Sequence, residues 1–444
     1  MSTVKSNNNT GTKVIKNSSA FYLIVVYFFF EYIRPQDAYL SAIGLFKIPM
    51  ILTIVIFIIL IKSSKNLFKD RLVVLMSLFL LQIAFSVTFA TNTNFVTTAF
   101  QGLFLVMIVV LTMPIAVDTK AKFLLFIRYW LLFNSLLALY VLLHGGRGPG
   151  GFLYDENDVS LTINMAIPFA VTLLFLAKGE KKNSIIYLSL TLVLVTAVIA
   201  SMSRGGFLGL LSIPFAYWLF SHNKLKTLSK LLLIVTLLAY PVYKVVPEKY
   251  YEEVESISDT EDSTRNTRLK FWGLAWDMYK DNPIFGVGAR NFAWNVVYYQ
   301  MKRPDFDSND RLLGGREAHS LYFTLLPELG SLGVFLYFSI LYQLYSRLRF
   351  IVNLGTENDD YYSYGVIAKG LLVSLITYLI SGAFISVLYY PSFWYLVGFV
   401  MILDSIVKNQ RQVDTNNDRL LVTRKLDPGM TGNNNVKINR AKLL

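Results

Sequence analysis

The chain of 444 residues contains no cysteine and only three histidines. Without cysteine the protein can form no disulfide, and it has no thiolate for a metal site or for nucleophilic catalysis. Charged residues make up only 16% of the sequence, and we find no motif that is typical of nucleic-acid binding, so the net charge of +13 does not indicate a nucleic-acid partner. No group of His, Asp and Glu has the spacing of a metal site, and we expect neither metal nor cofactor.

The sequence is rich in apolar residues, which make up 54% of it, against roughly 45–50% in soluble domains. Apolar runs of about 20 residues recur along the chain, and this is the length that crosses the hydrocarbon of a bilayer. Because these runs are apolar on all faces, they predict an all-α polytopic membrane protein with about twelve transmembrane helices. The first run begins near Ala20, and since it lacks a small-residue cleavage pattern we predict a retained helix.

The predicted spans have the following approximate bounds: 20–33, 38–61, 72–90, 97–117, 123–143, 159–177, 184–201, 205–221, 228–246, 318–345, 365–388 and 391–407. Lysines and arginines concentrate in alternate links, which places those links and both termini in the cytoplasm. We predict a transmembrane domain over 20–407 with one long external loop at 247–317. Asn-, Lys- and Thr-rich tails at 1–19 and 408–444 are predicted to be disordered and cytoplasmic.

This topology brings His319, Arg204, Arg147 and the long loop to the external face. Ionisable groups at membrane depth are costly, so a histidine at the mouth of a membrane helix is a functional candidate. The alternative is a histidine that simply lies in the headgroup layer. Arg204 stands in the turn Ser203-Arg204-Gly205-Gly206, where it either binds an anion or reaches the membrane interface.

The long loop is predicted to form amphipathic helices that lie on the membrane face and cap the bundle. One helix is predicted over 264–279, with Leu269, Trp272 and Trp276 on one face. Arg265 and Arg268 are three residues apart and share another face of that helix. Guanidinium groups bind phosphate oxygens through paired hydrogen bonds, and the phosphates could belong to a substrate or to lipid headgroups.

Three further features are weaker candidates. The glycine turn that precedes Arg290 is either a phosphate-binding loop or a plain loop. Arg147 and Asp158 flank a glycine-rich segment whose carboxylates could bind sugar hydroxyls or a divalent ion, or could simply be solvated. Glu328 lies about 13.5 Å beyond His319 along a helix, so we expect it to join helices by hydrogen bonding, unless the helix breaks at Pro327.

Together these residues suit the transfer of a group from a diphosphate donor. Several arginines can stabilise the charge that develops on the leaving diphosphate without a metal ion. A histidine with a pKa near 6.5 can accept the proton of the attacking hydroxyl at neutral pH.

The ordered motifs along residues 150–345 resemble the O-antigen ligase superfamily of bacterial envelope glycan enzymes. The matching segments are Asn157-Asp158, Ser203-Arg204-Gly205-Gly206, residues 268–272, residues 282–288, and Ala318-His319-Ser320 followed by Glu328, Gly330 and Gly333; Glu31 to Gln36 also resembles some members. The resemblance implies a helical bundle of the membrane-glycosyltransferase type (GT-C-like). It also implies a polyprenyl-diphosphate-linked glycan as donor, a glycan or lipid acceptor, and metal-independent transfer on the outer face of the bacterial inner membrane. Ser320 departs from the family, which often has Asn after the histidine.

Carried over by motif, Arg204 and Arg268 contact the donor diphosphate, and His319 is the base or orients the acceptor hydroxyl. Candidate substrate-binding residues are Arg265, Arg290, Arg147, Asp158, Trp272 and Glu328. The first hypothesis is a ligase in surface polysaccharide biosynthesis, such as that of lipopolysaccharide or exopolysaccharide. A polymerase and a protein O-oligosaccharyltransferase of the same superfamily are alternatives, and a glycan transporter is an alternative of another class, which would favour charges along a pathway at mid-span.

Overall fold

A computed structural model describes residues 9–38, 47–63, 67–221, 223–229, 263–307 and 311–426. Over these ranges the secondary structure is helical, with no β-strand. Eight of the described helices are long and apolar enough to cross a membrane. The predicted all-α polytopic membrane fold is therefore confirmed.

Thirteen of the described α-helices are longer than two turns. In chain order they are α1 Asn9–Tyr32, α2 Ile48–Ser63, α3 Arg71–Phe85, α4 Thr93–Ala116, α5 Lys120–Leu143, α6 Glu156–Leu176, α7 Lys181–Ala200, α8 Arg204–Leu219, α9 Ser263–Asp281, α10 Phe292–Met301, α11 Leu321–Glu357, α12 Tyr362–Gly382 and α13 Pro391–Leu426.

The first and last helices are longer than the predicted spans. Helix α1 begins at Asn9 and α13 continues to Leu426, so parts of both predicted disordered tails are helical. Residues 408–426 contain no proline or glycine that would stop a helix, and Pro428 comes only after its end. Residues 230–246 of the predicted span 228–246 lie outside the described residues, as do residues 39–46 of the span 38–61.

Helices α6 and α13 are enclosed by the other helices, while α7 lies at the periphery. The apolar window is 78% buried in α6 and 83% buried in α13, but only 17% buried in α7. Large aromatic side chains fill the space around α13, with Trp394 and Phe393 fully buried. The enclosed helices thus provide rigid supports for the residues at their ends.

One end of the bundle, which we call the site end, gathers the link residues 33–38, 86–92, 144–158, 201–204 and 383–391. Hydrogen bonds join these links: Ser203 Oγ donates to Asn157 Oδ1 over 2.7 Å, and Tyr390 Oη donates to Asp158 Oδ2 over 3.0 Å. The opposite end carries a separate charge cluster, in which Arg347 contacts Asp70 and Asp404.

The described residues from Ser263 to Ser320 form a cap over the site end. We define the cap as α9, α10 and the connecting residues 282–291 and 311–320. The helix predicted over 264–279 is present as α9. The cap has its own small apolar core, separate from that of the bundle, whose buried members are Phe271, Leu274, Ala275, Met278, Val287, Phe292, Val296, Tyr299, Leu313 and Ala318.

The face of α9 that packs into the cap core differs from the face that we predicted from the spacing of its apolar residues. Phe271, Leu274 and Met278 are buried, whereas Leu269 and Trp276 are exposed. Exposed apolar side chains of this kind are typical of a helix that lies at a membrane interface.

Helix α11 is broken at Gly330, where φ is +60° and ψ is −166°. The break follows Pro327, whose ring already removes one helical hydrogen bond. Cap residues 283–288 fill the break and pair with residues 327–332. We call these two segments, together with residues 289–292, the junction. The glycine turn before Arg290, which we considered as a phosphate-binding loop, thus contacts the backbone of α11.

Backbone groups freed by the break find partners in the junction. Val287 N donates to Pro327 O over 2.8 Å and Gly288 N to Glu328 O over 3.0 Å, while Ser331 N and Leu332 N donate to Pro283 O and Ile284 O. The amide of Gln82 on α3 donates to Leu329 O. Since an unsatisfied backbone group in the membrane costs several kcal/mol, these bonds make the break possible.

We expect Gly330→Ala to destabilise the protein by at least ~2 kcal/mol, because only glycine readily adopts this backbone conformation. A Cβ at this position would also lie 2.4 Å from the carbonyl oxygen of Ile284. Thermal unfolding in detergent, followed by size-exclusion chromatography, measures the change.

Gly102→Ala is the matched control, because Gly102 is inside α4 and a methyl group added there would meet no neighbouring atom within 4 Å. We expect this variant to unfold at the wild-type temperature or slightly above it. Equal stability of the two variants would contradict the proposed need for glycine at the break.

Candidate active site at the capped end of the bundle

His319 lies in the turn that joins the cap to α11. Its backbone is in the left-handed region, with φ of +48°. On one side Ala318 is buried in the cap core, and its carbonyl oxygen accepts a hydrogen bond from Trp272 Nε1 over 3.0 Å. On the other side Ser320 caps α11 by accepting from Phe323 N. Both neighbours are fixed, so the direction of the histidine side chain is fixed as well.

Trp272 belongs to the support of this turn. Its ring stacks on Phe323 of α11 with 4.9 Å between the ring centroids, while its indole N–H holds Ala318. Predicted as a substrate-binding residue, Trp272 thus already has two partners within the protein, and these connect α9 to the histidine.

His319 keeps part of its surface exposed, while protein groups surround its imidazole, among them charged side chains from three parts of the chain. Desolvation lowers the pKa of His319 below its ordinary 6.5, and the positive charges of Arg268 and Arg316 lower it further, whereas Asp155 opposes them. A lowered pKa means that the imidazole is neutral at pH 7 and can accept a proton.

Acidic groups and Arg290 lie beside the histidine. Desolvation raises the pKa of Glu317, and the charge of Arg290 together with a hydrogen bond to Ser386 counteracts that rise. Asp158 is buried at the start of α6 and accepts from Tyr390 over 3.0 Å. Arg290 also acts on Tyr390, so these residues share one electrostatic environment.

Arg204 is linked to this environment through a chain of hydrogen bonds. Ser203 caps α8 by accepting from Gly206 N over 2.8 Å, and its own hydroxyl donates to Asn157. Asn157 Nδ2 donates to Asp155 Oδ1 over 2.8 Å, and Asp155 acts on His319. The start of α8, with Arg204 as its first residue, is therefore anchored to the same end as the histidine.

Residues 188–338 match the family model described as O-antigen ligase. This part of the chain is therefore similar to the O-antigen ligase superfamily. The recognition from sequence motifs is thereby confirmed, and a search of curated proteins found none that matches the chain.

The O-antigen ligase match contains most of the predicted site. Arg204, Arg268, Arg290, His319 and Glu328 all fall within residues 188–338. Asp158, Tyr389 and Tyr390 come from outside it, and the bundle brings them to the same end. The candidate site is thus assembled from the matched segment and from residues on both sides of it in the chain.

Left-handed backbone conformations recur at this end. Among the described non-glycine residues, positive φ occurs at Arg34, Lys47, Met202, Arg290 and His319. Such conformations cost of order 1–3 kcal/mol each and persist only where surrounding contacts enforce them. Arg290 and His319 are themselves predicted site residues, and Met202 comes two residues before Arg204.

Other predicted residues have different surroundings. Arg147 is exposed and pairs with Glu156 over 3.5 Å at the surface. Arg265 is in α9, but its side chain lies outside the described residues. Glu328 is buried and accepts hydrogen bonds from the cap and from Tyr389, so it joins segments of the protein, as its position suggested.

The glycine-rich segment before α6 packs on the turn after α1. A Cβ at Gly151 would lie 2.3 Å from the guanidinium of Arg34, and one at Gly150 would lie 2.9 Å from Asp37. Arg34 in turn pairs with Asp37 over 2.6 Å. The predicted flexible loop is thus shaped around the Glu31 to Gln36 motif.

The sequence motifs did not indicate Glu317, Arg316, Asp155 and Tyr390 as site residues. The first two adjoin His319, and Asp155 adjoins the predicted Asp158, so proximity in sequence was an available signal. Tyr390 depends on the packing of α13 against α6, for which the sequence offers no signal. No group of three or more His, Asp and Glu able to hold a metal ion occurs in the described parts of the chain.

A cavity of about 380 Å³ lies on the cap near the junction, lined by residues that include Phe89, Asn282, Phe285 and Tyr298. His319, Arg268 and Arg204 do not line it. Its walls belong to the link after α3 and to the cap, so it is distinct from the histidine environment.

We expect the neutral imidazole of His319 to react with diethyl pyrocarbonate with a midpoint below pH 6.5, because its pKa is lowered. Mass spectrometry of the peptide that contains His319, after modification at a series of pH values, measures this midpoint.

Two variants test whether neighbouring charges cause the lowered pKa of His319, and they should shift the midpoint in opposite directions. Arg316→Gln removes a positive charge and should raise the midpoint, whereas Asp155→Asn removes a negative charge and should lower it. Asparagine keeps the capping ability of Asp155 at the start of α6. Shifts of both variants in one direction would contradict the arrangement of charges around His319.

Proposed function

We propose that the protein is a glycosyltransferase that moves a glycan from a polyprenyl-diphosphate carrier to an acceptor hydroxyl. The observation that carries this proposal is a histidine of lowered pKa on which Arg268 and Arg316 act, with Arg290 acting on the adjacent Glu317, at one end of a membrane bundle. The superfamily match supports a donor of this lipid-linked class.

In the proposed reaction the acceptor oxygen attacks the anomeric carbon of the donor glycan. The bond from that carbon to the diphosphate oxygen breaks, and its electron pair leaves with the polyprenyl diphosphate. Arg204 and Arg268 stabilise the developing negative charge, since guanidinium groups stay protonated and bind phosphate oxygens in pairs. Arg290 assists from the junction.

His319 accepts the proton that the acceptor hydroxyl loses as the new bond forms. Its lowered pKa keeps the imidazole neutral before the reaction. Trp272 and Ser320 hold the histidine turn, and Asp155 stabilises the imidazolium that forms. Asp158 and Glu317 are placed to accept hydrogen bonds from sugar hydroxyls.

We propose that the site end faces outward from the inner membrane. Basic residues such as Lys120, Lys178, Arg347 and Lys408 belong to the links and helix ends at the opposite side of the bundle. The positive-inside bias favours a cytoplasmic location for that side. A polyprenyl-linked glycan would then be used on the external face.

A ligase of surface polysaccharide is the first choice, and a polymerase that extends the glycan on its carrier is the alternative within the superfamily. Both fit the same residues. A protein O-oligosaccharyltransferase and a glycan transporter are less favoured. Glu328 is engaged by three hydrogen bonds, which does not suit a mobile charge on a transport pathway.

In cells that lack this protein, we expect complementation by wild type but not by His319→Ala, because the variant has no proton acceptor. Electrophoresis of envelope glycan and extraction of carrier-linked glycan measure the outcome. Long chains stranded on the carrier would indicate a ligase, and single repeats would indicate a polymerase.

His144→Ala is the matched control, since the His144 ring stacks on Tyr140 at the end of α5 and is not among the groups that act on His319. This variant should complement fully. Full complementation by His319→Ala as well would remove the histidine from the mechanism and favour a transporter.

With purified protein and a polyprenyl-diphosphate glycan, we expect Arg268→Gln to lower turnover roughly 100-fold, the usual effect of removing one stabilising group for transition-state charge. Lys280→Gln is on the same helix, where Lys280 pairs with Asp277 instead, and it should change turnover less than about 2-fold. Similar effects of both substitutions would show that bulk charge on α9, not Arg268, matters.

A further inference from the structure

Glu328 connects the broken helix α11 to the cap through both of its carboxyl oxygens. Oε2 accepts from Arg290 N over 2.8 Å and from Tyr389 Oη over 2.7 Å, and Oε1 accepts from Phe292 N over 3.0 Å. The side chain is buried, with 3% exposed. A single carboxyl group thus joins α11, the cap and the link before α13.

The backbone around this contact leaves little freedom. A Cβ at Gly286 would lie 2.4 Å from the carbonyl carbon of Glu328, and a Cβ at Gly288 would lie 2.6 Å from Ala90. Ala289 N donates to Ser86 Oγ over 3.1 Å. The segment that leads to Arg290 is therefore held against α3 on one side and against α11 on the other.

Arg290 comes at the end of this held segment and has φ of +55°. Its own N–H and that of Phe292, two residues later, are the groups that Glu328 accepts from. These two bonds hold the turn on both sides and so enforce the costly left-handed conformation. That conformation directs the arginine toward Glu317 and Tyr390, on which its charge acts.

We propose that Glu328 is a positioning residue for transfer, which fixes the backbone of Arg290 so that its guanidinium meets the donor diphosphate. Glu328 itself contacts no substrate. Tyr389 holds the carboxyl group in the orientation that serves both N–H groups. This assignment rests on the proposed function of the site. It adds to that function an explanation of how the Arg290 side chain is positioned.

A double-mutant cycle with purified protein and a polyprenyl-diphosphate glycan tests the assignment. Glu328→Gln keeps the size of the side chain but turns an NH2 group toward a backbone N–H. If Glu328 acts through Arg290, Glu328→Gln should lower turnover about 10-fold in the wild-type background but less than about 2-fold in an Arg290→Lys background.

A merely structural role gives a different result. Glu328→Gln would then reduce the fraction of folded enzyme by the same factor in both backgrounds, and the two substitutions would be additive. Additive effects overturn the assignment. If Glu328→Gln does not fold, Tyr389→Phe replaces it in the same cycle, because it removes one bond to Glu328 and keeps the ring.

The failure of the proposed function is distinguishable. If the wild-type protein transfers no glycan from the diphosphate donor, the proposed function fails. If the wild type is active and Arg290→Gln, which removes the charge, retains full activity, Arg290 has no part in transfer and the positioning role of Glu328 is wrong. Size-exclusion profiles of all variants verify folding before rates are compared.

Discussion

Backbone hydrogen bonding inside a membrane is the constraint on which the architecture of this protein depends. A helix that breaks at Gly330 leaves carbonyl and amide groups without their helical partners, and in the hydrocarbon of a bilayer no water could replace those partners. Residues 283–288 supply the missing partners, and in doing so they enter the bundle. The cap is therefore bound to α11 by the same bonds that allow α11 to break.

This attachment explains how a site can be built from a segment between membrane helices. The cap core and Trp272 hold the turn of His319, and the junction holds Arg290. From the other side, α6 and α8 bring Asp158 and Arg204 on buried, capped helix ends. Reacting groups must be held to within a fraction of an ångström, and rigid supports on both sides provide this.

The sequence predicted the helical fold, the cap helix α9 and the similarity to the superfamily, because apolar runs and short motifs are local signals. It also predicted that His319 and Arg268 belong together. It did not predict that Gly286 and Gly288 allow the backbone of the cap to contact α11. A glycine-rich turn has the same sequence pattern whether a phosphate or another helix approaches it. Partners such as Tyr389 for Glu328 and Tyr390 for Asp158 depend on the packing of α13, which no local pattern encodes.

Hydrogen exchange of the junction amides, followed by mass spectrometry at residue level, tests the central claim most directly. The amides of Val287, Gly288 and Arg290 belong to a segment between helices, yet all three are bonded to α11. We predict that they exchange as slowly as amides inside the membrane helices, on the scale of hours. Exchange as fast as that of an unprotected amide in water would contradict the account, because the cap would then be an open loop and could not position Arg290.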